Sequence, residues 1–351
     1  MNMAYIRSGS QGFSLVEFMI AMLLGTILIG GAISVYLASK RSYIEVEQVA
    51  GLSENGRFGL RVINDSLRHI GFFGSARPGD IADDINLGAV SNDCTGDAAA
   101  YDLSSVIAVG IVDSSGDAYG CIDDGVEGTQ VLVVKYLVPS PIYDEDPDDP
   151  NAVLDGSLEH PRAPDPNETY VVANSEFGVL LDGADTAPDV RDGQQFARAV
   201  GWPYRFQAYY VREETIGGGP RLRKTLVRKT LVWNGASMEV ETEELVEGVE
   251  RFYLRFGYDT DSDGDIDTYT VEATDLAAAS WDWDTVISIE VFILVRSPDE
   301  DSAYSDTKTY NLGDVTITPS SNADYPVNMR RLMMHSTISL RNPKLIIRGG
   351  A

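Results

Sequence analysis

The sequence predicts an α+β fold, in which one long N-terminal helix packs on an antiparallel, β-rich globular domain. Two observations predict the helix. Residues 13–37 form an apolar run with a single charged residue, Glu17, and no proline occurs from residue 13 to residue 77. A third observation predicts the domain, because segments rich in Val, Ile, Tyr and Phe follow from residue 74 onward and are separated by turn residues.

The apolar run has the length of a membrane anchor. As a helix it would span about 37 Å, which exceeds a hydrocarbon core of about 30 Å. A removable secretory signal has a shorter apolar region that ends at a small-residue cleavage site, so we expect this segment to be retained. Arg7 precedes it and Lys40 and Arg41 follow it. The positive-inside rule therefore does not decide its orientation.

The helical pattern continues past the membrane segment. Leu60, Ile63, Leu67 and Ile70 recur at spacings of three and four residues, which predicts an apolar stripe that faces the globular domain. Gly71 is the predicted stop. The expected segments are a transmembrane helix over residues 13–38, its amphipathic continuation over 39–71, and a β-rich domain over 72–351.

Seven segments of the domain have the composition of strands. They are residues 130–138, 204–212, 222–233, 251–258, 269–273, 286–296 and 332–340. In the fourth segment, Phe252, Leu254 and Phe256 alternate with other residues and are expected to face one side. Residues 217–220 predict a hairpin turn, and residues 143–166 predict a long exposed loop.

The charge balance argues against one class of partner. The chain of 351 residues carries 54 Asp and Glu against 27 Lys and Arg, a net charge of −27. Such a surface repels nucleic acid and anionic lipid headgroups and favours cations, so nucleic-acid binding is not expected. Solubility, for example in a salty habitat, is an equally simple explanation of the acidity.

The two cysteines, Cys94 and Cys121, lie in a region rich in Gly, Asp and Ser, without a CxxC or Cys/His cluster. A metal site is therefore not predicted. If the domain lies outside the cytoplasm, one disulfide is the natural interpretation, and it would stabilise the fold by about 3–4 kcal/mol. The alternative is two unrelated buried thiols.

An Asp-rich segment is the strongest chemical motif outside the anchor. Its carboxylates are those of Asp259, Asp261, Asp263, Asp265 and Asp267. With Gly264, they match the first half of a calcium loop, so Ca²⁺ is the predicted cofactor, with Asp265 contributing its backbone carbonyl. The twelfth position, Thr270, is not the bidentate Glu of an EF-hand, and both flanks are predicted strands. We therefore expect a hairpin tip of modest affinity; the alternative is a solvated acidic turn.

Catalytic patterns are missing from the sequence. The three histidines, His69, His160 and His335, are far apart and have no HExxH or triad context. There is also no G-x-S-x-G, no phosphate-binding loop and no dinucleotide-binding glycine motif. The sequence therefore does not predict an enzyme.

Residues 12–17, Gly-Phe-Ser-Leu-Val-Glu, resemble the processing site of type IV prepilins, and the polar leader of residues 1–12 fits the same family. The resemblance implies that a membrane-embedded prepilin peptidase cuts after Gly12 and methylates the new amino group of Phe13. It also implies that Glu17 pairs with the Phe13 amine of a neighbouring subunit, which neutralises both charges and sets axial register. The alternative for Glu17 is that its side chain reaches the membrane surface.

Further segments resemble minor pilins of the PilW type. They are residues 55–58, 67–68, 71–74, 245–250, the Asp-rich loop, 330–332 and 339–342. The resemblance leaves residues 77–200 unmatched. Many relatives have Cys directly after the glycine at position 74, where this chain has Ser75. The predicted Cys94–Cys121 disulfide therefore rests on this sequence and not on the family.

The resemblance implies a pilin-like fold and a structural role. We expect a minor pilin that helps initiate type IV pilus assembly and sits at the filament tip, in a pilus that serves twitching motility, attachment or DNA uptake. Its partners would be other minor pilins, the major pilin, the prepilin peptidase and a tip adhesin. The expected location is the inner membrane, with a single span and a periplasmic C-terminal domain, and then the pilus on the cell surface. The alternatives are a minor pseudopilin of a type II secretion system and a tip-exposed adhesin.

Overall fold

A computed structural model describes Gly12 and residues 14–215, 222–269 and 285–340. The chain divides into two compact units, Met1–Ala50 and Gly51–Ala351. One helix, α1 (Leu15–Leu67), contributes to both units. The second unit is rich in strands, most of which pair antiparallel. The predicted α+β fold, with a long N-terminal helix on a β-rich domain, is confirmed.

The part of α1 in the first unit has the surface of a membrane helix. Its large apolar side chains are exposed from Leu15 to Val49, and the helix is long and apolar enough to cross a bilayer. The hydroxyls of Thr26 and Ser34 donate to backbone carbonyls four residues earlier. The helix thus satisfies by itself the polar groups that lipid cannot satisfy, which supports the predicted transmembrane helix.

The part of α1 in the second unit buries one face on the sheets. The predicted stripe of Leu60, Ile63, Leu67 and Ile70 is buried throughout, as its spacing requires. The helix ends at Leu67, four residues before its predicted end at residue 71. The N–H groups of His69, Ile70 and Phe72 bond to carbonyls three residues back, and Gly71 has a φ of 75°. The chain therefore leaves the helix through a tightened last turn and a left-handed glycine.

Eight strands form the larger sheet. They are β1 (Ile81–Asp83), β2 (Ile107–Ile111), β3 (Gln130–Leu137), β4 (Thr169–Ala173), β5 (Gly178–Asp182), β6 (Val200–Thr215), β7 (Leu222–Trp233) and β8 (Met238–Glu247). Their order is β1-β5-β4-β6-β3-β2, with β7 on β6 and β8 on β7. The long strand β6 pairs with β4 through its first residues and with β7 through its last, while β3 lies on its other side.

Four strands form the smaller sheet. They are β9 (Val249–Tyr258), β10 (Thr268–Tyr269), β11 (Val286–Arg296) and β14 (Arg331–Ser339), in the order β10-β9-β11-β14. The strands β12 (Tyr310–Leu312) and β13 (Val315–Ile317) pair only with each other. Strand β14 is thus one edge of the smaller sheet, as β8 is one edge of the larger.

The main core lies where α1 packs on both sheets. Ile63 of α1, Tyr209 of β6 and Ile293 of β11 belong to it. Phe252, Leu254 and Phe256 also lie in this core, whereas Tyr253 lies in a separate cluster, so the predicted alternation of β9 is confirmed. A second core covers the opposite face of the larger sheet.

Six predicted strands lie where the sequence places them: β3, β6, β7, β9, β11 and β14. Tyr269 falls in β10, and residues 270–273 lie outside the described residues. The hairpin predicted at residues 217–220 also lies outside them, although Thr215 pairs with Leu222 on either side. The sequence does not predict β1, β2, β4, β5, β12 and β13, which are short, or β8, in which five glutamates in ten residues hide the apolar alternation.

The loop predicted over residues 143–166 contains no strand, but it is not wholly exposed. Leu158 is buried and packs with Ile142 in a small apolar cluster. The buried carboxylate of Asp144 accepts hydrogen bonds from two N–H groups, one of them that of Gly156 at 2.9 Å. The expectation of a fully exposed loop is therefore wrong, because this segment folds around its own carboxylate.

Candidate functional site

The prepilin-like motif forms a cap at the start of α1. The Oγ of Ser14 accepts a hydrogen bond from the N–H of Val16 at 3.3 Å, and Glu17 Oε2 accepts one from the N–H of Ser14 at 3.1 Å. These reciprocal bonds form a variant of the capping box, in which Ser14 accepts from the second and not the third residue after it, and a carboxylate there also complements the positive end of the helix dipole. Glu17 therefore has a structural role within its own chain. The Ser-x-x-Glu spacing of Ser14 and Glu17 is the sequence signal for this role.

The predicted processing site is described only in part. Gly12 and Glu17 are exposed, and Phe13 lies outside the described residues. Cleavage after Gly12, methylation of Phe13 and the pairing of Glu17 with a neighbouring amine remain predictions. The exposed carboxylate of Glu17 is accessible to a second subunit.

The Asp-rich segment is the tip of a hairpin between β9 and β10. Tyr258 pairs antiparallel with Thr268, and the N–H of Asp267 donates to the carbonyl of Tyr258 at 2.8 Å. Ser262 and Gly264 adopt left-handed backbone conformations, with φ of 64° and 97°. The sequence prediction of a hairpin tip, and not of an EF-hand, agrees with this geometry.

Three of the five aspartates come together in this tip. One carboxylate oxygen each of Asp259, Asp261 and Asp267 lies within 4.8 Å of the others. Asp259 is buried, whereas Asp261 and Asp267 are exposed. Asp263 and Asp265 are not part of this cluster, and Asp263 Oδ1 instead accepts the N–H of Asp265 at 2.8 Å.

The neighbouring backbone holds the clustered carboxylates in place. Asp259 Oδ2 accepts the N–H of Gly264 at 2.7 Å. Asp267 Oδ2 accepts both the hydroxyl and the N–H of Thr260, at 2.6 and 2.7 Å. These bonds lower the pKa of Asp267, because they favour its charged form. The tip thus presents carboxylate oxygens of the kind that a hard cation such as Ca²⁺ prefers.

A second cluster of charges is buried between the smaller sheet and the β12–β13 hairpin. Arg331 of β14 donates to Glu250 of β9 at 2.5 and 3.0 Å and to Asp306 at 3.1 Å. All three residues are fully buried. Arg296 of β11 reaches Glu250 at 3.4 Å, and the hydroxyl of Tyr310 donates to Asp306 at 3.0 Å.

This buried network keeps its charges by pairing them. Burial opposes the charged form of Arg331, but hydrogen bonds and attraction from Glu250 and Asp306 outweigh it and raise its pKa. The network joins three strands of one sheet to the loop before β12. In the sequence Glu250 and Arg331 are separate charges in two distant segments, and only the fold shows that they bind each other. Charged residues inside apolar strands are the signal that suggests such a pair.

A disulfide and a buried lysine organise the region before β3. Cys94 and Cys121 are bonded, with a Cα–Cα distance of 4.7 Å, which confirms the predicted pair. The fully buried Lys135 donates to the backbone carbonyls of Asp97, at 2.8 Å, and Asp102. Its ammonium thus holds the loop that follows Cys94.

Two family models match the chain. The prokaryotic N-terminal methylation motif matches residues 7–33, and the type IV pilus-assembly protein W model matches residues 208–342. These two matches support a prepilin-like protein of the PilW type. No curated protein and no solved structure matches it. The two models support a type IV pilus minor pilin, from a family of structural pilus components that work with other pilins and the prepilin peptidase.

The matches fall on the features described above. The methylation motif covers the capping box and the exposed apolar part of α1 up to residue 33, and it fits a membrane anchor that becomes part of a pilus. The PilW match begins within β6 and extends past β14, so it includes the Asp-rich tip and the network around Arg331. The disulfide lies outside both matches and belongs to the part of this minor pilin that the models do not describe.

Proposed function

We propose that this minor pilin helps initiate type IV pilus assembly and occupies the filament tip. The observation that carries the proposal is one long helix with a prepilin-type start and an exposed apolar surface, which continues into a large domain. Before assembly, such a helix would cross the inner membrane once, with the domain in the periplasm. After assembly, it would lie in the apolar core of the filament. The companion subunits would be other minor pilins, the major pilin and a tip adhesin.

The charge of the subunit supports a tip position over a position in the shaft. A filament shaft repeats one subunit at close spacing, and the net charge of −27 would place many like charges near each other. A bulky domain also fits poorly into repeated lateral packing. A few copies at the end of the filament avoid both problems.

Immunogold labelling of the full-length chain in piliated cells tests the proposal. Label confined to filament ends supports the tip role, label along the shaft supports a packing subunit, and label only in the cell envelope supports a pseudopilin. Deletion separates the remaining roles, because loss of all filaments indicates assembly, whereas loss of attachment alone indicates an adhesin.

We propose that Glu17 has one role in the free subunit and another in the filament. In the free subunit its carboxylate caps α1 through the N–H of Ser14. In the filament it would pair with the methylated amine of Phe13 on a neighbouring subunit, since cleavage after Gly12 creates that cation. The pairing would neutralise two charges in an apolar environment and fix the axial position of the subunit.

Two substitutions separate these roles. Glu17→Gln keeps a capping side chain, since glutamine also serves in a capping box, but removes the charge. Glu17→Ala removes both. We expect cleavage to continue in both variants and incorporation into sheared pili to fall at least about tenfold in both, which corresponds to about 1.4 kcal/mol. If the Gln variant enters pili normally and the Ala variant does not, the charge pairing is rejected. Helix capping would then be the role of Glu17.

We also propose that the Asp-rich tip binds Ca²⁺ through Asp259, Asp261 and Asp267. The support is the convergence of their oxygens within 4.8 Å. A cation there would relieve the repulsion among the carboxylates and would tie the ends of β9 and β10 together. Without a bidentate Glu, we expect the affinity of an extracellular module, with a Kd of about 10⁻⁴–10⁻³ M.

Calcium titration of matched variants tests this site. Asp261→Asn removes a clustered carboxylate, and Asp265→Asn removes one outside the cluster. We expect the first to weaken binding at least about tenfold, or about 1.4 kcal/mol, and the second to change it less than about twofold. Absence of heat and of a thermal shift at millimolar Ca²⁺ in the unmodified chain would reject the proposal.

A further inference from the structure

The edge strand β14 presents a row of outward backbone groups. The N–H of Leu340 donates to Ile287 and the N–H of Ser297 donates to Arg330, so the even-numbered residues of β14 bond to β11. By the alternation of an antiparallel pair, the N–H and C=O groups of the odd-numbered residues point away from the sheet. At one end, the hydroxyl of Tyr310 covers the carbonyl of Arg331 at 3.4 Å.

Beyond that point the edge is open among the described residues. The outward groups belong to Met333, His335, Thr337 and Ser339. Within residues 14–215, 222–269 and 285–340, no hydrogen bond reaches the backbone of these four residues. Such a row of donors and acceptors is a template for another strand.

The other long edge of the molecule is built differently. Strand β8 carries five glutamates in ten residues, and its exposed stretch includes Glu241, Glu243 and Glu244. Charged side chains on an edge strand prevent pairing with other chains. By contrast, residues 332–340 contain no Asp, Glu, Lys or Arg, in a chain of which 23% is charged. One edge is protected against strand addition and the other is not.

We propose that β14 accepts an extended strand of a different pilus subunit, which continues the smaller sheet. This goes beyond the proposed assembly role and rests on it, since it names the surface and the kind of partner. The added strand would bond to the outward groups of residues 333–339. This is a known mode of recognition, in which the backbone supplies affinity and alternate side chains supply specificity.

The side chains of β14 define the chemistry of the partner. Met334 approaches Gly56 of α1, and Ser336 Oγ accepts from Asn64 of α1 at 2.9 Å, so the even-numbered side chains face the helix. His335 stacks on Phe292 on the other face and is exposed. A strand beside β14 therefore needs apolar residues toward α1 and polar residues on the opposite face.

Charge argues for a different subunit over a second copy of this chain. Two copies, each with a net charge of −27, repel each other, and residues 332–340 of the described edge contain no Lys or Arg that would offset this repulsion. A neutral or basic strand meets no such barrier. The partner is thus an alternating, uncharged or basic strand of another polypeptide.

Photo-crosslinking in piliated cells tests the proposal with two matched positions. Thr337 on β14 and Thr242 on β8 are both exposed threonines on edge strands. The probe is a benzoylphenylalanine placed at either position in the full-length chain. We expect at least tenfold more adduct from position 337, and mass spectrometry should map the crosslink to an extended, alternating segment of another pilus subunit.

Proline substitutions test whether the backbone is the contact. The N–H of Val240 donates to Ser91, away from β7, so the N–H of Thr242 also points outward, like that of Thr337. Thr337→Pro and Thr242→Pro each delete one outward donor and no internal ladder bond. With unchanged thermal unfolding, we expect Thr337→Pro to reduce recovery of the crosslinked partner at least tenfold and Thr242→Pro less than twofold.

Several results would overturn the proposal. They are no adduct from position 337, equal adducts from both positions, an adduct with a second copy, or an adduct with residues 270–284 or 341–351 of the same chain. The content of sheared pili is measured separately in the same cells. If the chain is present in pili but position 337 gives no adduct, strand addition fails while the proposed assembly role stands.

Discussion

At the scale of single residues, four charged side chains form a buried network, those of Glu250, Asp306, Arg296 and Arg331. Its charges are removed from water, and each is paired with an opposite charge of the network. Pairs of this kind contribute little when they are complete, but the loss of one partner leaves an uncompensated buried charge. The network therefore makes the position of β14 on the sheet specific.

Removal of one partner should destabilise the domain strongly. Arg331→Met leaves Glu250 and Asp306 buried without their main cation, and we expect it to lower the free energy of unfolding by about 3–5 kcal/mol. The double variant with Glu250→Gln should lose less than the sum of the single losses, since the charges disappear together. Denaturant unfolding of the four members of this cycle measures the coupling. Additive losses would show that the pair is not coupled.

Lys135 gives the domain a pH dependence of its own. Burial lowers its pKa to about 8, although Asp102, Asp93 and Asp97 attract the charged form. The unfolded chain has the ordinary value of 10.5. Between pH 8 and 10.5 the unfolded state therefore binds more protons than the folded state, so the contribution of Lys135 to stability rises with pH.

Comparison with Lys135→Met isolates this contribution, because all other titrating groups are common to both proteins. As pH rises from about 7.5 to about 9.5, the free energy of unfolding of the unmodified chain should increase relative to that of the variant. Urea unfolding at several pH values measures it. A flat difference, or one that falls with pH, would contradict the lowered pKa.

At the scale of elements, the second half of α1 is shaped for close approach to the sheets. A Cβ added at Gly59 would lie 3.3 Å from Ile293 and 3.5 Å from Leu226, whereas one at Gly51 would meet no atom within 4 Å. The two glycines of this helix therefore have different structural roles. Gly59 makes room for the core, and Gly51 only weakens the helix.

Leucine at these two positions should have opposite effects. Gly59→Leu must push into a filled core, so we expect it to lower the free energy of unfolding by about 1–3 kcal/mol. Gly51→Leu should leave stability unchanged or raise it by up to about 1 kcal/mol, because leucine is the better helix former. Chemical denaturation of both variants decides this. Equal effects would show that Gly59 does not provide the close contact.

At the scale of the whole molecule, the net charge of −27 works against the compact state. Like charges repel over the Debye length, which falls from about 30 Å at 0.01 M salt to about 8 Å at 0.15 M. Most of the arginines form ion pairs with nearby carboxylates, but acidic residues outnumber basic ones two to one. Screening should therefore relieve more repulsion than attraction.

Stability should accordingly rise with NaCl over this range, and Glu241→Lys, on the exposed edge of β8, should reduce the rise. The substitution reduces the magnitude of the net charge by two. By itself it should raise the free energy of unfolding by no more than about 0.5 kcal/mol. Thermal unfolding at each salt concentration measures both effects. A melting temperature that falls with NaCl would show that the ion pairs outweigh the net repulsion.

The sequence by itself determined the parts of this protein whose signals are local. Helical periodicity, the absence of proline and the length of the apolar run are properties of neighbouring residues, and so is the prepilin-type motif around Gly12. The Asp-rich tip and the strands with clear alternation were predictable for the same reason. The cysteine pair followed from there being only two cysteines in the chain.

The tertiary structure alone decided what depends on residues far apart in the chain. Glu250 and Arg331, 81 residues apart, look like surface charges until β9, β11 and β14 come together. Three aspartates of the tip converge and two do not, because the turn at Gly264 directs their side chains differently. Which edge of the molecule is open also depends on sheet order. Pairing of distant strands decides it, and no local pattern encodes that pairing.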